Sequence, residues 1–215
     1  MSAESGLKTF RDAGGLWEGY DVSKVATPEA WHSNMELVLE FYNQRRAQLK
    51  SVMPNQAHYA LAELERSYQV NVVTQNVDNL HERAGSSNVL HLHGELTKVR
   101  STGDDALIYE WTEDLNIGDV CEKGYQLRPH IVWFGEMVPE MENAAYLVYQ
   151  ADIIIIIGTS MQVYPAASLI GYAKSAKIYY IDPNPNINYE LNNQSYTLIS
   201  KKAAEGMQQL LTELL

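Results

Sequence analysis

Cysteine is nearly missing from this chain: Cys121 is the single one in 215 residues. No internal disulfide can form, and a thiol-poor sequence fits a reducing compartment. Long apolar runs are missing too. The longest, Ile153 to Ile157, falls far short of the roughly 20 residues that a bilayer span requires. Met1 is followed by polar Ser-Ala-Glu-Ser rather than the apolar stretch of a signal peptide, so a cytoplasmic location is expected, with no membrane partner. Basic residues are scarce, with 16 Lys and Arg against 27 Asp and Glu and a formal net charge of −11. Phosphate backbones are bound by clustered cations, so nucleic acid is excluded as the main partner and a basic one is favoured. Acidity that serves only solubility is the plainer alternative. Internal repeats are absent.

What is present is a globular composition, 46% hydrophobic, long enough for one good core with a small attached module. Strands are expected at Val70 to Thr74, Ile131 to Phe134, Asp152 to Gly158, Lys177 to Asp182 and Tyr196 to Ile199. Several are continuously apolar, as when both faces of a sheet are covered. Helical patterns at Met141 to Gln150, Pro165 to Ala176 and Lys201 to Leu215 alternate with them, which predicts an α/β fold with a doubly wound parallel sheet. Two stretches break the alternation: a helical pair over Pro28 to Lys50 and Pro54 to Tyr68, and a loop-rich stretch from Thr97 to Leu127. The expected division is therefore a sheet domain from 1–27, 69–96 and 128–215, with 28–68 and 97–127 forming a smaller lobe.

Chemistry concentrates where the strands end. Apolar Val72-Val73 gives way to Thr74-Gln75-Asn76-Val77-Asp78, and ligands of open parallel sheets bind beyond such carboxyl ends. His91, His93, Gly94 and Glu95 follow. His93 titrates near neutrality and could act as a base, although a lone histidine beside a Leu-rich strand is more often a core or supporting residue. Gly158-Thr159-Ser160, after the Ile-rich strand, could let backbone N–H groups and hydroxyls approach a phosphate, or be an ordinary turn. Asp182, at the next strand end, stands where dinucleotide folds place an acid on a ribose hydroxyl; it could instead simply open the Asp-Pro-Asn-Pro turn. Trp133 and Phe134 read equally as core. Trp31, Met35, Val38, Tyr42, Arg45 and Leu49 recur at helical spacing, which puts the Arg45 guanidinium on an apolar stripe where it needs an anion; Glu40 or Asp78 is the ordinary candidate.

Thr74-Gln75-Asn76-Val77-Asp78, His93-Gly94-Glu95, Val132-Trp133-Phe134-Gly135-Glu136, Gly158-Thr159-Ser160 and Val163-Tyr164-Pro165-Ala166, in this order, closely resemble the sirtuins, NAD-dependent protein lysine deacylases. The resemblance runs from Ser2 to the last helix. It implies a Rossmann-like domain, NAD as cofactor and acylated lysine peptides or proteins as partners, with a monomer expected. It assigns Gln75 and Asn76 to the nicotinamide ribose, Asp78 to the carboxamide, and Phe10 and Arg11 to closure over the cofactor. Ser2, Ala3, Trp17, Val77, Gly158, Thr159, Ser160, Asp182, Pro183 and Asn184 complete the implied NAD contacts. His93 is the implied general base, with Asn76 beside it in catalysis. In the implied reaction the acyl oxygen attacks the ribose carbon that loses nicotinamide, and His93 activates a ribose hydroxyl to carry the acyl group away. The products are nicotinamide, free lysine and O-acyl-ADP-ribose. Val132, Phe134, Gly135 and Val163 would flank the peptide. Tyr42-Asn43-Gln44-Arg45 matches the Tyr-x-x-Arg of desuccinylating and demalonylating sirtuins, so that activity is expected above deacetylation. Competing readings are a protein ADP-ribosyltransferase and a non-catalytic binder of nucleotide or acyl-peptide.

The chain departs from the family pattern twice. A closed structural zinc needs four ligands, and with Cys121 alone and Ser101 near the expected first cysteine, no zinc and no metal ligand are assigned. The family's opening strand and Gly-Ala-Gly-x-Ser loop match here only from Met1, so the sheet is expected to have its first strand missing. A form of this kind is expected to be poorly stable, to bind NAD weakly and to hold residues 1–17 loosely.

Overall fold

The computed structural model describes residues 1–7, 16–17 and 19–215, with residues 16 and 17 described by backbone alone. Two parallel sheets are formed among the described residues. The first pairs β1 (Val72–Thr74) with β2 (Val89–His91), residue 72 opposite 89. The second has the order β8–β7–β6, with β6 at Ile153–Ile157, β7 at Lys177–Ile181 and β8 at Tyr196–Ile199. These strands keep one register throughout: Ile153 pairs with Lys177 and Ile178 with Tyr196. Among the described residues β1 is paired only with β2 and β6 only with β7, and both strands line one large cavity. The architecture is the expected Rossmann-like α/β fold.

Helices cover the sheets because their apolar faces require it. In α7 (Ala203–Leu214), Ala203, Met207, Leu210 and Leu211 are spaced three and four apart, and all are buried. They share a core with Ile181 and Tyr179 of β7 and with Ala57, Ala60, Leu61 and Leu64 of α3 (Gln56–Leu64). Each large side chain buried there stabilises the fold by about 1.5–3 kcal/mol. On the other side, α5 (Met141–Gln150) packs Ala144 against Leu92, Ala166 and Leu169. The stretch 166–172 winds as a 3-10 helix rather than the longer α-helix expected from 165. Gly171 near its end and Ser175 beyond it are weak helix formers, too poor to carry the pattern on.

A second core joins α1 (Pro28–Ser33) and α2 (Met35–Ser51) to an antiparallel sheet β4–β3–β5, formed by β3 at Gly94–Ser101, β4 at Ile108–Glu110 and β5 at Leu127–Ile131. One expectation changes here. The strand expected at Ile131 to Phe134 lies earlier and pairs antiparallel with β3, so Val132–Phe134 leaves the sheet as a loop. The loop-rich stretch from Thr97 to Leu127 also carries strands between its turns, most of β3 and all of β4. Its polar turn residues mask strands whose partners lie some 30 positions apart. α3 packs on α7 rather than in this second core, so the 28–68 stretch is shared between two cores. Among the described residues no helix is long and apolar enough to cross a membrane.

Candidate active site

A cleft of about 1770 Å³ opens at the carboxyl ends of β1 and β6 and runs along the cavity between them. Its lining brings together Ser2, Ala3, Gln75, Asn76, Val77, Asp78, His93, Gly158, Thr159, Ser160, Asp182, Pro183 and Asn184 from the cofactor and catalytic set. The same cleft is lined by Tyr42, Arg45, Val132, Phe134, Gly135 and Val163 from the peptide set. Phe10 and Arg11, and the side chain of Trp17, lie outside the described residues.

The polar groups hold one another in place. Gln75 Nε2 donates to Thr159 Oγ1 at 3.2 Å and spans the gap between β1 and β6. Asn76 Nδ2 donates to Ser2 Oγ at 2.8 Å, while its backbone N–H donates to Thr74 Oγ1. Asp78 is buried and accepts the Leu80 N–H at 3.1 Å, at the start of α4 (Leu80–Ala84). Asp182 does both things open to it, ending β7 in the cleft and bracing the turn by accepting the Asn184 N–H at 2.9 Å. At Gly158 φ is +56°, and an added Cβ would stand 2.6 Å from the Met1 nitrogen, so only glycine lets the chain pass.

His93 stands in this company. Its Nδ1 lies 3.1 Å from the Gln75 carbonyl. A carbonyl only accepts, so Nδ1 carries the proton and Nε2 keeps the lone pair. Burial pushes the His93 imidazole below its usual range, against the weaker opposite pull of that hydrogen bond. The ring is thus neutral at physiological pH and available as a base. The next residue, Gly94, has φ +80°, and a Cβ there would collide with the His130 carbonyl. Backbone crosses backbone here, and the His93 carbonyl accepts the Val132 N–H at 2.9 Å.

Trp133 and Phe134 divide the two roles open to them. Trp133 is core, whereas Phe134 is 47% exposed on the cleft. Glu136 holds this loop, accepting the Trp133 N–H at 2.7 Å and hydrogen bonds from Arg128 at 2.7 and 3.1 Å. Burial alone would raise the Glu136 carboxyl, but these donors outweigh it and hold the carboxyl below its usual range. The Arg128 guanidinium lies 3.3 Å over the Trp133 ring, whose indole N–H donates to Tyr42 Oη at 3.0 Å. Burial pushes the Tyr42 phenol up, so it stays neutral.

The expected single helical stripe from Trp31 to Leu49 is broken. Asn34 ends α1 and caps α2, accepting the Leu37 N–H at 3.1 Å. Arg45 still reaches the cleft, its guanidinium 5.0 Å over the Phe41 ring. Its neighbour Arg46 is the deeper cation, 2% exposed. Arg46 donates to the Leu96 carbonyl at 2.9 Å and to Asn43 at 2.7 Å, and burial pushes it down to about 10. Asn43 in turn holds the backbone of Leu115. The sequence carries no signal for Arg46, which lies off the apolar repeat.

A Rossmann-like sheet with amides, hydroxyls, a carboxylate and a neutral histidine at its strand ends marks an enzyme that acts on a bound nucleotide. The model of the Sir2 family matches residues 1–165. The NAD-dependent protein deacylase of Helicobacter pylori strain J99 is 59% identical over 216 residues, covering 100% of this chain and 92% of its own. That of Bacteroides thetaiotaomicron is 52% identical over 217 residues, covering 98% and 92%. A solved Sir2 homologue in complex with NAD has a TM-score of 0.86 at 42% identity, covering 99% of this chain and 85% of its own. A mutant Sir2 homologue with ADP-ribose has a TM-score of 0.87 at 41% identity, covering 99% and 87%. The chain belongs to the Sir2 family, and it is an NAD-dependent protein deacylase.

The residues present fit NAD. The part of the cleft at the strand ends is lined by Ser2, Gln75, Asn76, Asp78, Thr159, Ser160 and Asp182. Its donors and acceptors suit ribose, amide and phosphate groups.

Proposed function

We propose that this deacylase prefers acidic acyl groups, succinyl and malonyl above acetyl. The observation that carries this reading is that Tyr42 and Arg45 line the same cleft as His93, Phe134 and Val163. Arg45 stands beside Phe41 and Tyr42 in a largely apolar wall, where a fixed cation favours an acyl chain ending in a carboxylate. Bound NAD supplies the ribose carbon at which nicotinamide leaves. Asn76, fixed by Ser2, orients the ribose, and Asp78 reads the carboxamide. Gly158, Thr159 and Ser160 face the phosphates, while Asp182, Pro183 and Asn184 meet the far ribose. His93 Nε2 takes the proton of a ribose hydroxyl. Val132, Gly135 and Val163 flank the peptide, and Phe134 guides the lysine stem. The sheet-based segments bind nucleotide and the inserted ones read the acyl chain. Cytoplasmic acyl-lysine proteins are the substrates.

The test compares one lysine peptide in succinyl, malonyl and acetyl forms, following nicotinamide release. A charge-assisted hydrogen bond is worth about 1.5–3 kcal/mol, so Arg45→Met is expected to cut desuccinylation about 10- to 100-fold and to spare deacetylation. Unchanged desuccinylation in Arg45→Met would end this reading.

A further inference from the structure

Outside the cleft, Glu82 of α4, His91 of β2 and Glu95 of β3 bring three ligating side chains to one point. Their ligand atoms all lie within 4.8 Å of one another. The histidine makes this more than two acids on a surface. Its Nδ1 lies 3.2 Å from the Asn76 carbonyl, which only accepts, so Nδ1 carries the proton and the neutral ring turns its Nε2 lone pair the other way. That lone pair meets Glu82 Oε1 at 2.7 Å. Two acceptors so close require a cation between them. A proton fills the role when the ring is an imidazolium, and a metal ion can replace it once the two atoms part slightly and Glu95 is drawn in.

The surroundings are those of a metal-binding histidine. Such histidines almost always donate their second ring N–H to a carbonyl or carboxylate, which fixes the ring, and Asn76 already accepts it. The His91 side chain is only 7% exposed, whereas that of Glu82 is 39% exposed. A rigid nitrogen is thus paired with a carboxylate that solvent can reach. Glu95 is held 2.7 Å from the Lys98 ammonium, and Lys98 has a second acid, Glu110, at 3.8 Å to which it can turn. Glu95 can therefore be released without leaving a lone cation.

We propose that Glu82, His91 and Glu95 bind an exchangeable divalent ion of the zinc class, with water completing the coordination. One imidazole and two carboxylates suit Zn²⁺ or Co²⁺ better than Ca²⁺ or Mg²⁺, which take oxygen alone. Metal–ligand bonds of about 2.1 Å in a tetrahedron set the ligand atoms about 3.4 Å apart. His91 and Glu82 would part slightly and Glu95 would swing in. The site is distinct from a closed four-ligand zinc in the insert. It lies one hydrogen bond from Asn76 and two residues from His93, and the consecutive elements α4, β2 and β3 supply its ligands.

The experiment is calorimetric titration of the full chain with ZnCl₂ in a non-chelating buffer near neutral pH, paired with Co²⁺ absorption spectra. One saturable site is expected, with a dissociation constant of about 1–100 μM. Glu95→Gln, which keeps the size of the side chain, is expected to weaken binding at least about tenfold, the loss of one charged ligand. His91→Gln should abolish the Co²⁺ visible bands. Absence of saturable binding by the folded wild-type chain, or equal affinity in Glu95→Gln and Glu82→Gln, overturns the assignment. Circular dichroism of each variant separates a lost ligand from a lost fold.

Discussion

β7 and β1 are both short parallel strands, yet they live under opposite conditions. β7 is paired on both sides, by β6 and β8, and its Ile178, Tyr179, Tyr180 and Ile181 are all buried. β1 has three residues, pairs only with β2 among the described residues, and borders the cavity on its other edge. The candidate site sits at the less supported strand. Gln75, Asn76 and Asp78 leave β1 and gather their partners from Thr159, Ser2 and α4. β7 holds the fold, while the polar end of β1 holds the site through side-chain bonds that cross the gap.

The widest separation between the two should come from His93→Ala. Removing a general base costs about 10²- to 10⁴-fold in turnover, and the half-buried ring at the cleft edge contributes little to the core. Deacylation should collapse while the denaturant midpoint moves little; a variant that retains turnover would deny His93 its role. The reverse is expected of Ile181→Ala. A buried Ile→Ala change in a close-packed core costs about 2–5 kcal/mol, so urea unfolding should shift strongly while activity per folded molecule persists. Equal damage to both readouts would mean that fold and site are not separable in this way.

Acid should act on the helices beside β1 before it acts on β7. His58 of α3 is buried against His81 of α4, their ring centres 4.9 Å apart. Its Nδ1 accepts the Asn55 N–H at 3.1 Å. Burial first, and then the neighbouring His81, pushes His58 from 6.5 to about 3, and burial lowers His81 as well. Folded His58 is thus neutral while its unfolded counterpart takes up a proton below 6.5. Its contribution to stability is whole above that pH and is lost as pH falls from 6.5 towards 3, by about 1.4 kcal/mol per pH unit for each such histidine. Urea midpoints at descending pH should follow this slope, and His58→Gln should flatten it. An unaltered slope in that variant would clear His58 of the effect.

Much of this was legible beforehand because the signals were local. A continuous β-branched run marked β6, runs rich in β-branched and aromatic residues marked β7 and β8, and the abrupt change from valine to amide and carboxylate at Thr74 marked the strand end. The antiparallel sheet of β3, β4 and β5 was not legible, since its pairings join Arg100 to Ile108 and to Arg128 across polar turns. Arg46 was missed for a related reason. Its burial depends on the Leu96 carbonyl, 50 positions away, and no helical periodicity announces such a partner. Trp133 and Phe134 were ambiguous because adjacent residues in a loop can face opposite ways, and only the fold decides which is core.

The crossing at Gly94 bears on how this enzyme can move. With the Gly94 backbone pressed against His130, and Val132 hydrogen-bonded to the His93 carbonyl, His93 and the loop at 132–134 are tied together through the backbone. A displacement of that loop is therefore passed directly to the backbone that carries His93.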